Sequence, residues 1–527
     1  MIKEKASVEY VRSEMAKLAP VELKCDLSLL SISEKQVLGK LIEAGKIIDK
    51  LFLLQVDPDN LKIREALLDS KDHLEMFDIM FGSWNRLEHE MPFINNKEKP
   101  KGAGFYPENM TKQEFTDHIK NNPMQAAEFE NTFTAIERID GELIAKPFHE
   151  KYKDLINKLN VILNEAGDIS EESTLKKYLK LRARDLLVDD YFESDMAWMD
   201  IAGNLEIVIG PYEVYEDGLF SYKGAYEAFI CVVDQDASQK LDAVSNYLVD
   251  MEKNLPIPDE FKNFDRGLSS PIKVVQEVYS AGDTKAGIQT TAFNLPNDER
   301  VREAKGSKKV MLKNVARAKY DKCWIPIVNT ILAEKPLDNV SFDAYFNHVL
   351  MHEVSHGLGP GSIMLEDGTE TTVSKKLKEL YPVIEECKAD ILGMYNVSYL
   401  MKKGVFDKKD KYCSYASYLG GMFRSIRFGI NEAHGGAVAI QFNYLIEKGA
   451  FIETENGKLS LVESKMESAI RDLSHTVLMI QAKGDYDAAK DFVEKYSLMT
   501  PLMEKIVDNL KHLPIDIRPS YPAIEQL

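Results

Sequence analysis

The chain has 527 residues, 44% of them hydrophobic and 29% charged, and a formal net charge of −19. This length favours two domains over one simple core, and the acidic balance argues against nucleic-acid binding, which requires a basic face. No apolar run approaches the roughly 20 residues of a membrane-spanning helix, and no signal-peptide core is recognisable near residue 1. Five scattered Cys without a CxxC pair are typical of a reducing compartment. We therefore expect a cytoplasmic monomer or dimer that binds neither nucleic acid nor membrane, although the sequence is also compatible with a signal peptide removed earlier.

Helical patterns dominate the first 200 residues. Apolar residues recur at helical spacing over 33–54, 60–81 and 173–188, with charged residues on the opposite faces. A loop rich in Lys, Pro and Gly, 95–104, separates the early elements. We expect this part of the chain to consist of helices.

The pattern changes near residue 204. Runs rich in β-branched and aromatic residues predict strands at 205–210, 228–233, 272–279 and 287–293. From about residue 342 the pattern is again helical. The sequence therefore predicts an α+β protein, in which a helix-rich part follows a part that contains a small sheet or barrel.

The segment with the clearest chemical meaning is HEVSH at 352–356, which follows a helical pattern at 342–351. On a helix, positions i and i+4 share a face, so His352 and His356 can bind one zinc ion. Glu353 then lies beside a water that the metal activates and can accept its proton. The motif predicts a zinc hydrolase, most often a peptidase; the alternative is a surface helix with both His in water.

The third ligand must lie outside this motif, because position 362 is Ser and not the His of a longer zinc signature. The best candidate segment is 381–395, where Glu385, Glu386 and Asp390 fall within two helical turns. One of the two Glu can complete the metal site, and the remaining carboxylates can accept the N–H groups of the ligating imidazoles. The alternative is an acidic first turn that complements the helix dipole.

Several further segments resemble the dipeptidyl peptidase III family of zinc aminopeptidases. Residues 385–390 (EECKAD) resemble its EECRAE segment, whose second Glu is a zinc ligand, and 293–297 (FNLPN) resemble its N-x-P-N motif. The other similar segments are 204–217 with 223–229, 306–315, and 433–434 with 445–449. These similar segments occur in the same order as in the family, and together they span about 204–496.

The resemblance implies an α+β fold of two lobes separated by a cleft. One lobe is mostly helical and binds zinc; the other has a small β-barrel plus helices. The implied division places 1–227 and 270–322 in the lower lobe, 228–269 in an insertion of the upper lobe, and 323–527 in the helical catalytic lobe. The implied activity is the removal of dipeptides from the N-termini of oligopeptides.

The resemblance also implies roles for residues of the metal site. His352, His356 and Glu386 would bind one Zn²⁺ per chain, and Glu353 would be the general base. His434 would donate a hydrogen bond to the oxyanion of the tetrahedral intermediate. Taken alone, His434 could equally be a histidine inside a helix.

A second group of implied roles concerns orientation and substrate binding. Glu385 and Asp390 would hold the ligating imidazoles. Glu206, Asn294 and Asn297 would bind the free α-amino group of the substrate, since an ammonium favours a carboxylate and amide oxygens. The alternatives are a solvent-facing strand residue for Glu206 and turn formation for the two Asn.

The chain departs from the family pattern in three places. Its HExxH spacing is one residue shorter than the family's HExxGH. Val208 stands where the family has a Tyr two positions after the amine-binding Glu, and Tyr212 or Tyr215 could substitute. Val438 stands where the family has an Arg, for which Arg518 is a possible replacement. A zinc-dependent hydrolase or isomerase of a non-peptide substrate and a peptide-binding protein with weak turnover therefore remain alternatives.

Overall fold

A computed structural model describes residues 2–264, 272–333, 340–364 and 368–527. The α-helices of these residues are α1 (Val8–Met15), α2 (Ile32–Val56), α3 (Asn60–Ala66), α4 (Lys71–Met80), α5 (Lys112–Asn121), α6 (Ala126–Glu130), α7 (Phe148–Lys151), α8 (Lys153–Ile169), α9 (Ser173–Asp185), α10 (Phe192–Met199), α11 (Gln235–Ser245), α12 (Leu248–Lys253), α13 (Glu299–Lys305), α14 (Lys313–Lys319), α15 (Ile325–Ile331), α16 (Phe342–His356), α17 (Val373–Leu377), α18 (Tyr381–Lys403), α19 (Lys411–Ile426), α20 (Ala433–Glu447), α21 (Glu463–Lys483), α22 (Tyr486–Tyr496) and α23 (Pro501–Leu510). No helix of these ranges combines the length and the apolar character that a bilayer span requires.

The strands form one five-stranded sheet and several two-stranded pairs. Their bounds are β1 (Leu18–Glu22), β2 (Trp84–Asn85), β3 (Met91–Pro92), β4 (Thr134–Ile139), β5 (Glu142–Pro147), β6 (Leu205–Glu213), β7 (Ala225–Val233), β8 (Ile272–Gly282), β9 (Ala292–Leu295), β10 (Lys308–Leu312), β11 (Ser362–Met364), β12 (Glu370–Thr372), β13 (Phe451–Glu453), β14 (Leu459–Leu461) and β15 (Asp516–Ser520). The large sheet has the order β6-β7-β8-β10-β9, antiparallel except for the parallel β8–β10 pair.

Local sequence signals explain many of these bounds. Helix α2 begins with a reciprocal capping box, in which Ser31 accepts from the Glu34 amide and Glu34 accepts from the Ser31 amide. The single helix expected over 60–81 is two helices, because the chain turns between Ala66 and Lys71. The strand expected at 287–293 is also shifted, because only β9 pairs with β10. Before β9, the backbone N–H of Gln289 donates to the Asp516 carboxylate.

The sequence predicts that the first 200 residues are helices, but the structure also has strands there. The hairpin β4–β5 lies within these residues, and β1 pairs in parallel with β15 from the other end of the chain. Strand β1 contains Pro20 and is five residues long, so its own pattern is weak. Its partner lies 498 positions away (Leu18 with Asp516), a pairing that no local signal reports.

The chain divides into two compact units. The first comprises Met1–Gln235, Ser270–Val315 and Asp516–Leu527. It contains the five-stranded sheet, which curls so that the Asn297 amide, just past β9, donates to the carbonyl of Tyr212 on β6, at the opposite edge.

The second unit comprises Asp236–Ser269 and Ala316–Ile515 and is mostly helical, with α16, α20 and α21 packed against α18. These bounds differ from the expected lobe boundaries. The expected boundary at 227/228 falls inside β7, whose ladder with β6 and β8 keeps the whole strand in the first unit. The expected boundary at 322/323 lies beyond Val315, and the C-terminal β15 pairs in the first unit. The expected boundary at 269/270 lies outside the described residues.

Candidate active site

The second unit brings the three predicted metal ligands together on two packed helices. His352 and His356 lie on α16, and Glu386 lies in the second turn of α18. The helices approach closely at Gly393, where an added Cβ would lie 3.1 Å from the backbone nitrogen of His352. A larger residue at 393 would therefore push apart the helices that carry the ligands.

The geometry of these three side chains fits a small, four-coordinate metal ion. The Nε2 atoms of His352 and His356 are 3.2 Å apart, and Glu386 Oε2 lies 3.5 Å and 3.9 Å from them. Tetrahedral zinc with bonds of about 2.0–2.1 Å places its ligand atoms about 3.3 Å apart. Glu386 Oε2 is buried and has no hydrogen-bond partner among the described residues, an arrangement that a cation would satisfy.

The far nitrogen of each imidazole lies against a carboxylate. His352 Nδ1 is 2.6 Å from Asp390 Oδ1, and His356 Nδ1 is 2.9 Å from Glu385 Oε1. Because an ionised carboxylate only accepts hydrogen bonds, each Nδ1 donates and each Nε2 is left with its lone pair for the metal. These are the contacts that the resemblance implies for Glu385 and Asp390.

Charge keeps both orienting carboxylates ionised. Burial opposes ionisation of Glu385, but Lys388, 2.8 Å away, and His356 outweigh it and lower the pKa of Glu385 to about 2. Burial is likewise overcome at Asp390, whose pKa the His352 imidazole holds well below its usual range. At His352 burial disfavours the imidazolium, but Asp390 raises the pKa of the imidazole to about 9.

Two further predicted residues lie beside this group. Glu353 is half-buried and directly follows His352 on α16. His434 lies in the first turn of α20 and is exposed, with Nε2 3.3 Å from Glu386 Oε2. Glu432 caps α20 by accepting from the His434 and Gly435 amides, which fixes the backbone that presents this imidazole.

The first unit does not support the predicted amine-binding role of Glu206. Its side chain is only 1% exposed, and its two oxygens accept from Lys273 Nζ (2.7 Å) and Lys308 Nζ (2.9 Å). Lys308 also donates to the carbonyl of Trp198. The carboxylate is thus buried and paired with two ammonium groups of the protein, which disfavours its binding a substrate amine, and its 1% exposure excludes the solvent-facing alternative.

A different carboxylate lies next to the predicted Asn pair. The Asn297 amide donates to Glu213 Oε1 (3.4 Å) as well as to the Tyr212 carbonyl (3.2 Å), and Asn294 is exposed on β9. Glu213 ends β6, whereas Glu206 lies near its start. Glu213 is therefore the carboxylate that lies beside the predicted Asn pair, and sequence reasoning did not single it out.

The Glu-x-Tyr spacing that the resemblance requires also occurs at Glu213 and Tyr215. Tyr215 is 82% exposed, and the Glu213 carboxylate is the largest influence raising the pKa of its phenol. The other proposed substitute, Tyr212, is buried with its ring over the Arg182 guanidinium. Val208 is also buried, so its position cannot present a side chain to a ligand. This spacing was the sequence signal that could have identified Glu213.

The surroundings of Glu213 favour cations. Burial, with Asp283 and Glu213 nearby, raises the pKa of Glu227 well above its ordinary value. Burial and the Glu216 carboxylate raise the pKa of Asp283 to about 7. An ammonium group bound here would favour the ionised forms of Glu227 and Asp283, because a nearby positive charge lowers the pKa of a carboxyl group.

Arg518, the proposed replacement for the family's Arg, lies on β15 in the first unit. Its guanidinium pairs with Glu75, and both line a cavity of about 550 Å³ with Leu74, Lys285 and Gln289. Its described partners include none of the other predicted site residues. Val438, at the position of the family's Arg, is buried on α20.

Comparison with known proteins agrees with this fold. The model of "Peptidase family M49" matches residues 109–372. A solved structure of DPP III from Caldithrix abyssi superposes with a TM-score of 0.95 at 50% identity, covering 98% of this chain and 99% of that one. Dipeptidyl-peptidase III from Corallococcus sp. strain EGB superposes with a TM-score of 0.83 at 39% identity, covering 99% of each chain. A curated relative called Nudix hydrolase 3, from Arabidopsis thaliana, is 35% identical over 98% of this chain and 74% of that protein.

The fold and the site together define a metallopeptidase. More specifically, the chain belongs to peptidase family M49, the dipeptidyl peptidase III family. The predicted α+β fold and the family resemblance are thereby confirmed.

Proposed function

We propose that this protein is a zinc-dependent exopeptidase that removes dipeptides from the free N-termini of oligopeptides. The observation that carries the proposal is the group of His352, His356 and Glu386, whose buried Glu386 Oε2 has no hydrogen-bond partner among the described residues. Two neutral imidazoles and one carboxylate leave a fourth position open, as catalytic zinc sites do.

The protein side chains around this group have distinct tasks. Bound zinc would supply a Lewis acid that polarises the scissile carbonyl and acidifies water. Glu353, one residue after His352, accepts the proton of the attacking water and passes it to the leaving amine. His434 donates a hydrogen bond to the carbonyl oxygen as negative charge develops there. Glu385 and Asp390 hold the imidazoles throughout.

Recognition of the substrate's α-amino group falls to the first unit. We assign it to Glu213, with the amide of Asn297 and the exposed Asn294 and Tyr215 as neighbours. The carboxylate pairs with the ammonium, and the amide oxygens accept its remaining hydrogens. A blocked N-terminus lacks this charge and leaves Glu213 unpaired, which selects against internal peptide segments.

The test is hydrolysis of a dipeptidyl-arylamide by zinc-loaded protein beside Glu353→Ala. We expect the wild type to release the arylamine and Glu353→Ala to be inactive while it still binds one zinc. A wild type that binds zinc and hydrolyses no peptide bond would contradict the proposal and favour a non-peptide substrate.

A further inference from the structure

Two buried glutamines contact the carboxylates that hold the metal-site imidazoles. Gln441 on α20 and Gln481 on α21 are both 0% exposed. Gln441 Nε2 lies 3.1 Å from Asp390 Oδ2, and Gln481 Nε2 lies 2.9 Å from Glu385 Oε2. Each carboxylate therefore has one oxygen on an imidazole and the other on a glutamine amide.

The chemistry of the carboxylates fixes the direction of these bonds. An ionised carboxylate accepts hydrogen bonds and donates none, so the NH₂ end of each glutamine must face it. In Gln441 this orientation also satisfies the rest of the amide: Nε2 donates to the Ala437 carbonyl at 3.1 Å, and Oε1 accepts from the hydroxyl of Tyr418. The reverse orientation would place two acceptors against each other in a buried site.

A carboxylate that is held at both oxygens cannot rotate away from its imidazole. The continuous path Tyr418–Gln441–Asp390–His352 therefore determines where His352 Nε2 points. We propose that Gln441 and Gln481 are positioning residues for the metal, which act through Asp390 and Glu385 on the two imidazoles. This inference rests on the metal site of the proposed function.

The two paths are not equivalent. Gln441 has described partners for both ends of its amide, whereas Gln481 Oε1 is buried without one among the described residues. Glu385 has a second support, since Lys388 Nζ lies 2.8 Å from its Oε1 and also donates to the carbonyls of His356 and Leu358. Loss of Gln441 should therefore affect the metal more than loss of Gln481.

The experiment compares Gln441→Met and Gln481→Met with the wild type. Methionine keeps the length of glutamine and removes its hydrogen bonds. The matched control is Asn396→Leu, because Asn396 is a fully buried amide on α18 whose side chain has no hydrogen-bond partner among the described residues. The readouts are the zinc dissociation constant from chelator competition, the visible spectrum of the cobalt-substituted protein, and thermal unfolding of the metal-free proteins.

We expect Gln441→Met to weaken zinc binding about tenfold, the lower end of the range for removing a direct partner of a metal-bound His, because Gln441 acts on His352 only through Asp390. Gln481→Met should weaken it less, and Asn396→Leu should leave it unchanged. In an Asp390→Asn background, Gln441→Met should have little further effect, since its action runs through that carboxylate. If Gln441→Met does not fold, Tyr418→Phe tests the same path by removing the donor that fixes the Gln441 amide.

Zinc affinity of Gln441→Met within twofold of the wild type, with an unchanged cobalt spectrum, would overturn the inference. So would an undiminished effect in the Asp390→Asn background. Because affinity is read without substrate, a wild type that binds zinc but cleaves no peptide would refute the proposed activity alone.

Discussion

The Asn297 side-chain amide lies 3.4 Å from Glu213 Oε1, at the place where the sheet of the first unit curls from β9 back to β6. This contact links Asn297, which belongs to the predicted N-x-P-N motif, to Glu213, which was not predicted as a site residue. It moves the proposed amine site from the start of β6 to its end, beside the exposed phenol of Tyr215.

Glu213→Gln should reduce kcat/KM for a dipeptidyl-arylamide about 10- to 100-fold. The reason is the loss of a charged hydrogen bond to the substrate ammonium, which contributes about 1.5–3 kcal/mol. The thermal midpoint of the variant should match that of the wild type. Steady-state kinetics beside thermal unfolding measure both quantities.

Glu206→Gln is the matched variant on the same strand, and it should behave in the opposite way. Its carboxylate pairs with Lys308, which is 1% exposed and whose pKa burial lowers to about 8. Removing one partner of a buried ion pair typically costs about 3–5 kcal/mol, so the thermal midpoint should fall while KM changes little. If Glu206→Gln raised KM and Glu213→Gln did not, the reassignment would be wrong.

Glu353→Gln should lower kcat by about 10²–10⁴-fold, the range of general acid–base catalysis, without loss of zinc. Glutamine keeps the size of the side chain but cannot accept the proton of the attacking water. Metal content by atomic absorption and kcat from the arylamide assay check the two parts. Activity within tenfold of the wild type would exclude Glu353 as the base.

The stability of the protein should depend on Asp283 between about pH 4 and pH 7. In the folded protein, burial and the Glu216 carboxylate raise the pKa of Asp283 to about 7, so folding favours its protonated form. The resulting stabilisation is full below the unfolded pKa of about 4 and is lost as the pH rises through about 7. The neighbouring Glu213 carboxylate also raises the pKa of Asp283, while Arg86 and Lys99 lower it.

Asp283→Asn cannot titrate, so its gain in thermal midpoint over the wild type should be larger at pH 8 than at pH 5. Thermal unfolding of both proteins at the two pH values, at constant ionic strength, measures this difference. An equal gain at pH 5 and pH 8 would show that Asp283 is ionised in the folded protein across that range.

The sequence predicted well what depends on local spacing. The shared face of His352 and His356 on α16 follows from an i, i+4 pair, and Glu386 and Asp390 follow from the same periodicity on α18. Residues whose role depends on distant contacts escaped prediction. Glu206 and Glu213 lie on one strand; apart from the Tyr two positions after Glu213, what distinguishes them is their contacts with the lysines of β8 and β10 and with the Asn after β9. Gln441 and Gln481 belong to no motif, because their significance arises only from packing against α18.

The proposed removal of N-terminal dipeptides can be tested by mass spectrometry of the products from one pentapeptide, offered with a free and with an acetylated N-terminus. We expect zinc-loaded protein to release the N-terminal dipeptide from the free peptide, the acetylated peptide to remain intact, and a chelator to stop the reaction. Equal cleavage of the acetylated peptide, release of single amino acids, or activity that survives complete removal of metal would contradict the proposal.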